Sequence, residues 1–186
     1  MSELATAAIE WLGAEFRERV TTQSYAPGSR IDGVRIIDLR LFSDEGGDFC
    51  EIARFSPGGA VDGLPDYRIA QMSYSLMEPG TIKAWHLHRN QDDVWFVPST
   101  ERLLVGLLDV RDGSSTYRQS MRFVLGAGKA RLLYIPRGVA HGAANLGSRP
   151  VSLVYLLNQT FNPDDPDEHR LPHDVIGRDF WTIQPG

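Results

Sequence analysis

The sequence predicts a mainly β domain, a sandwich or small barrel, preceded by one helix. Short runs rich in β-branched and aromatic residues recur from about residue 33 to 161, separated by Gly, Pro, Asp or Ser, the texture of many short strands joined by turns. A chain of 186 residues with 42% hydrophobic residues can bury one sizeable core but not comfortably two. Residues 1–186 are therefore expected to form a single domain, with 1–25 a helical extension and 162–186 a C-terminal loop and tail.

In chain order, Ile9, Leu12, Phe16 and Val20 recur at spacings of three and four, which predicts an amphipathic helix over roughly the first twenty residues. GVRIIDLRLF (Gly33 to Phe42) alternates as a strand, and DEGGDFCEIARF (Asp44 to Phe55) is a glycine turn followed by another. SPGGAVDGLPD reads as loop. YRIAQMSYSL, TIKAWHLH, DDVWFVP, ERLLVGLLDVR, YRQSMRFVLG, ARLLYIP and PVSLVYLLNQT then follow as short strands, with a DGSS turn among them. Beyond Phe161 the polar, proline-rich NPDDPDEHRLPHD predicts a loop over the body, which Phe180 and Trp181 would anchor. Its acidic residues Asp164, Asp165, Asp167 and Glu168 are most simply solvated.

The net charge of −5 arises from 24 acidic and 19 basic residues with no basic block, which argues against a nucleic-acid partner. Cys50 is the single cysteine, so neither an intrachain disulfide nor a thiolate metal cluster can form, and a reducing, cytoplasmic setting fits. Glu3, Glu10 and Glu15 interrupt the N-terminal apolar residues, so no secretory leader is expected, and no apolar run is long enough to span a membrane.

Chemistry concentrates in two stretches. In GTIKAWHLHRNQD (Gly80 to Asp92), strand alternation sends His86 and His88 to one side. In IPRGVAHGAAN (Ile135 to Asn145), His141 follows a Pro-x-Gly turn. From the residues alone these histidines either move protons or hold a metal. The two stretches resemble the cupin signatures G-x5-H-x-H-x(3 or 4)-E-x6-G and P-x-G-x2-H-x3-N. Gly80, His86 and His88 match the first, with Asp92 at the glutamate and Ser99 at the last glycine; Pro136, Gly138, His141 and Asn145 match the second. The resemblance implies a cupin or jelly-roll β-barrel.

A longer resemblance, from about Gly33 to Trp181, is to the dTDP-4-dehydrorhamnose 3,5-epimerase family. Glu51 matches a glutamate closing an early strand, with Gly46 where that family has arginine. QMSYSLMEPGTIKAWH is similar to the block running from a glutamine through a serine to L-R-G-L-H, matching Gln71, Ser75, Gly80, Lys83 in place of arginine, and His86. IPRGVAHGA matches I-P-E-G-F-A-H-G-F at His141, and VYLLNQTFNP resembles L-Y-K-x-T-x-Y-Y-x-P, which places Tyr155 and Phe161 on two tyrosines. The resemblance implies an isomerase acting on a nucleotide-linked 4-keto sugar without a metal cofactor. It makes His86 the base, Tyr155 the acid, and Lys83, Gln71, Ser75, Glu51, His141 and His88 the residues around the substrate. It also implies a homodimer that exchanges N-terminal strands.

Such chemistry suits these residue types. A neutral imidazole, with an unperturbed pKa of about 6.5, removes a proton beside a ketone, a phenol opposite returns one, and a lysine stabilises the enolate oxygen or a diphosphate. Lys83 and His86 differ by an odd number, so a bulge or curvature must intervene for both to reach one substrate. The S-x-K-D motif whose aspartate supports the family's base does not occur before Gly186, which would leave His86 a weaker or differently tuned base. Val105 stands at one acidic position of the family, Asp109 keeps the later one, and Asp93 or Val94 replaces a lysine. His88 occupies a position that is usually glutamine in the epimerases and a ligand in metal-binding cupins.

Two other readings follow from these residues. A metal-dependent cupin, an oxygenase or isomerase, would hold one divalent transition metal through His86, His88, Asp92 and His141. A non-catalytic sugar-binding cupin would account for the missing catalytic support. Tyr155 as a buried structural tyrosine and Trp85 and Trp95 as packing residues are the ordinary expectations for strand positions.

Overall fold

A computed structural model describes residues 11–26 and 28–184. The fold is mainly β, with ten of its strands arranged in two antiparallel five-stranded sheets. The strands are β1 (Arg35–Asp38), β2 (Leu41–Asp44), β3 (Gly47–Cys50), β4 (Ala60–Val61), β5 (Leu64–Arg68), β6 (Gln71–Met77), β7 (Ile82–Leu87), β8 (Asp93–Phe96), β9 (Arg102–Asp109), β10 (Ser120–Gly126), β11 (Arg131–Ile135), β12 (Val139–Ala144), β13 (Val151–Leu157) and β14 (His169–Arg170). One sheet has the order β1-β11-β8-β13-β6 and the other β10-β9-β12-β7-β14. Neither edge of one sheet pairs with an edge of the other, so the expected barrel is an open jelly-roll sandwich.

Three expectations are corrected. Of the predicted N-terminal helix, the first ten residues lie outside the described ones; the remainder holds a single turn, α1 (Ala14–Arg17), with no buried residue. Phe16 and Val20 stay exposed, and one turn without tertiary packing has little to sustain a longer helix. SPGGAVDGLPD contributes to a hairpin, β4 with β5, rather than to loop alone. The tail includes β14, which adds a fifth strand beside β7.

β9 is covered on both faces, which explains why it reads RLLVGLLD instead of alternating. Leu103, Val105 and Leu107 enter the central core with Trp95, Leu133 and Leu153. Leu104 and Leu108 point the other way, beneath Trp85 and Trp181. The anchoring role of the tail aromatics holds: Trp181 is buried, its ring 4.8 Å from that of Trp85, and both indole N–H groups donate to the His173 carbonyl, at 3.2 Å from Trp85 and 3.0 Å from Trp181. Gly106 makes this possible, because a Cβ there would lie 2.5 Å from Phe180 and from Trp181. The outer face of the first sheet is covered by the β4–β5 hairpin through Val61, Leu64 and Tyr67.

Polar groups set the connections. Asp109, fully buried, accepts hydrogen bonds from Arg111 Nε (2.9 Å), Ser114 Oγ (2.6 Å) and Thr116 Oγ1 (2.6 Å), so it fixes the turn after β9. Gly138 takes the positive φ of 77° that ends the Pro136 turn, and Asn145 Nδ2 donates to the Met77 and Arg149 carbonyls. These cupin-signature residues are therefore structural. Among the described residues no helix is long and apolar enough to cross a membrane.

Candidate active site

The two sheets enclose a cavity of about 390 Å³. One wall comes from β7, where strand alternation would send Lys83 and His86 apart. The β12–β7 register prevents this: His141 lies opposite His86 but Ala143 opposite Lys83, so between these pairs Gly142 of β12 faces both Ala84 and Trp85 of β7. The bulge returns Lys83 to the side of His86, and both line the cavity together with His88. Gly142 sits at this irregularity, where a Cβ would approach that of Ala84 to 2.5 Å.

The tail closes this wall. The Asp167 carboxylate accepts hydrogen bonds from the backbone N–H groups of Arg89 (2.8 Å), Asn90 (2.6 Å) and Gln91 (3.0 Å). Its own carbonyl meets His88 Nδ1 in a short hydrogen bond. The next residue, Glu168, places Oε1 3.9 Å from His86 Nδ1 and also pairs with Arg170. His86 Nε2 is buried and has no hydrogen-bond partner. Burial pushes the His86 pKa down, against the pull of Glu168, which favours the neutral ring.

The opposite wall comes from β13 and β6. Tyr155 lies on β13, and its hydroxyl is 3.0 Å from Ser75 Oγ on β6. Burial raises the Tyr155 pKa despite the Ser75 hydrogen bond, so the phenol holds its proton across the neutral range. Asp93 and Trp95, on β8 beside β13, and His141, on β12 opposite His86, also line the cavity. The Trp95 ring meets those of His141 and Tyr155 edge to face, at 5.2 and 5.7 Å, and its Nε1 donates to Asp93 Oδ2 at 3.0 Å. Burial pushes the His141 pKa down to about 4.

The structure thus gathers Lys83, His86, His88, His141 and Tyr155 at one cavity, with Ser75 behind the tyrosine. Three other sequence candidates lie elsewhere. Asp92 points away from the histidines: it accepts from Arg137 Nε (3.0 Å), Arg137 Nη2 (3.0 Å) and Asn158 Nδ2 (3.1 Å). Adjacent strand residues face opposite sides, so Asp93 takes the place expected of Asp92, and the expected metal set is corrected accordingly. Glu51 pairs with Arg54 and lines a separate hollow beside the β2–β3 hairpin. Gln71 borders the tail instead, accepting from the Phe161 N–H at 2.8 Å and donating to Ser73 at 2.9 Å.

Asp93, Glu168, Arg170, Gln91 and Ser73 line the cavity without having been singled out as site residues. A signal existed for Asp93: the four-residue form of the cupin spacing after His88 ends on it. Glu168 had none, because its place depends on β14 pairing with β7.

Comparison with known proteins now defines the class. The chain is 40% identical over 154 residues to the spore coat polysaccharide biosynthesis protein SpsL of Bacillus subtilis, covering 82% of this chain and 97% of SpsL. Its fold superposes with a TM-score of 0.68 on dTDP-4-dehydrorhamnose 3,5-epimerase from Bacillus anthracis, at 23% identity, covering 84% of this chain and 91% of that one. It superposes equally, at 0.68 and 23% identity, on NovW, a 4-keto-6-deoxy sugar epimerase of Streptomyces spheroides, covering 87% of this chain and 84% of that one. The class is that of the cupin-like sugar epimerases, which are isomerases. The family model for dTDP-4-dehydrorhamnose 3,5-epimerase matches residues 28–179, and the chain belongs to that family.

Proposed function

We propose that the protein inverts one or both carbons flanking the ketone of a dTDP-linked 4-keto sugar, with His86 as base and Tyr155 as acid. The observation that carries the reading is His86 Nε2, a buried ring nitrogen with no partner, on a residue that lines a cavity whose far wall presents a protonated phenol. An imidazole whose Nδ1 faces a carboxylate keeps its hydrogen on that nitrogen and leaves Nε2 free to accept a proton.

In this scheme His86 Nε2 takes the proton from the carbon beside the ketone, and the electron pair moves onto the carbonyl oxygen to give an enolate. Lys83 offsets the charge on that oxygen, while Glu168 stabilises the imidazolium. Tyr155 returns a proton from the opposite wall, and its position on the other sheet is what inverts the centre. Arg170, at the cavity margin, suits the diphosphate. The cavity is of the size that holds a sugar ring, which leaves the nucleotide to extend along its mouth.

A homodimer completes the reading. It is supported by β6, an edge strand whose outward side chains Met72, Tyr74 and Leu76 are exposed. The test of the catalytic assignment is solvent-deuterium incorporation at the sugar carbons. His86→Ala should slow it by about 10²- to 10⁴-fold, and unchanged incorporation would overturn the assignment.

A further inference from the structure

Between the two walls lies a cluster that the proton-transfer scheme does not use. We propose that His88, Asp93 and His141 bind one divalent first-row transition ion, of the Zn²⁺ or Fe²⁺ class, through His88 Nε2, His141 Nε2 and the Asp93 carboxylate. The site stands apart from the epimerase reading, since neither His86 nor Tyr155 belongs to it.

His141 Nδ1 is 3.0 Å from the Val139 carbonyl, and His88 Nδ1 meets the Asp167 carbonyl. A carbonyl only accepts, so each ring in its neutral form carries its hydrogen on Nδ1 and presents a lone pair on Nε2. Those lone pairs are aimed at a carboxylate. His88 Nε2 is 3.9 Å from Asp93 Oδ1, and His141 Nε2 is 3.7 Å from Asp93 Oδ2. Two imidazole lone pairs therefore converge on one carboxylate. A cation placed among these atoms meets both imidazole lone pairs and the carboxylate at once.

The spacing agrees. Both contacts are too long for hydrogen bonds. Ligand atoms about 2.1 Å from a tetrahedral ion lie roughly 3.4 Å apart, and here the three donor atoms lie within 4.8 Å of one another. Modest closure of the side chains brings them onto one ion. The supporting contacts are those of a metal centre: each imidazole gives its other N–H to a backbone carbonyl, Gln91 Nε2 donates to Asp93 Oδ1 at 2.8 Å, and Trp95 Nε1 donates to Oδ2. Two imidazoles and one carboxylate suit a first-row ion, and three protein ligands leave positions open to the cavity for an oxygen of the bound molecule. Bound there, the ion supplies positive charge between the wall of the base and that of the acid.

The experiment uses full-length protein without a metal-binding tag, stripped with chelator and reconstituted with Zn²⁺, or with Co²⁺ for its visible absorption. Elemental analysis should give about one ion per chain, and the Co²⁺ form should show ligand-field bands. His88→Gln and Asp93→Asn, each checked for native circular dichroism, should both lose the ion, whereas His86→Asn, which loses proton exchange, and Tyr155→Phe, which loses inversion, should both keep it. The inference is overturned if the wild type binds no ion, if both ligand variants bind as tightly as the wild type, or if His86→Asn abolishes binding. Metal content is read without turnover, so the failure of either proposal leaves the other standing.

Discussion

Glu168→Gln tests whether the tail supports the base. At 3.9 Å from His86 Nδ1, a full carboxylate charge would stabilise the imidazolium by about 4 kcal/mol at an effective dielectric near 20. The Glu168 side chain is 38% exposed, and solvent screening roughly halves that, to about 2 kcal/mol. Arg170 competes for the same carboxylate and reduces it further. Removing the charge should therefore lower kcat by about 10- to 30-fold, since each 1.36 kcal/mol is a factor of ten. KM should change little, because the interaction strengthens only as His86 gains its proton. The assay is deuterium incorporation into a dTDP-linked 4-keto sugar, followed by NMR together with sugar inversion. Glu168→Asp should recover part of the rate. If Glu168→Gln stays within about twofold of wild type, or if its loss falls on KM alone, Glu168 serves Arg170 and the substrate mouth and does not support the base.

Tyr155→Phe should separate proton removal from inversion: His86 can still exchange the proton on its own face, so deuterium enters while inversion falls by about 10²-fold or more; loss of both in parallel would remove the facing-wall assignment. Asp109→Asn should destabilise the fold by about 3 kcal/mol, because Arg111 loses its partner inside the domain; thermal unfolding measures it. The hydrogen bonds from Arg111 first, then Ser114 and Thr116, hold the Asp109 carboxyl well below its usual range despite burial. Its contribution is present above the unfolded-state pKa of about 3.9 and is lost as pH falls below it, so the acid limb of stability should flatten in the variant. Tyr74→Glu, on the exposed face of β6, should shift light-scattering mass from dimer to monomer without altering the monomer's circular dichroism.

Local pattern revealed the strands because period and turn residues agree along most of the chain, and β9 read as a strand even though covering both its faces removed the alternation. The same periodicity misled at the N-terminus, where Phe16 and Val20 keep helical spacing without a surface to bury against. At the site, His86, His88, His141 and Tyr155 were legible because each is carried by a motif in one strand or, for His88, directly at its end. What the sequence concealed was parity. A single bulge puts Lys83 on the side of His86, and one residue decides that Asp93, and not Asp92, meets the histidines.

The tail poses a harder problem, because its composition points the wrong way. NPDDPDEHR has the character of a solvated loop, yet its chemistry is set by pairing with a strand far away in sequence. The Asp167 side chain caps three consecutive N–H groups beyond β7, its carbonyl fixes the hydrogen of His88 on Nδ1, and the adjacent Glu168 faces His86 Nδ1. One dipeptide therefore orients both histidines in opposite functional senses, leaving His88 Nε2 toward Asp93 and His86 Nε2 without a partner. On the proposed assignment, a base at His86 requires a carboxylate at Nδ1, and the tail is the element that supplies it.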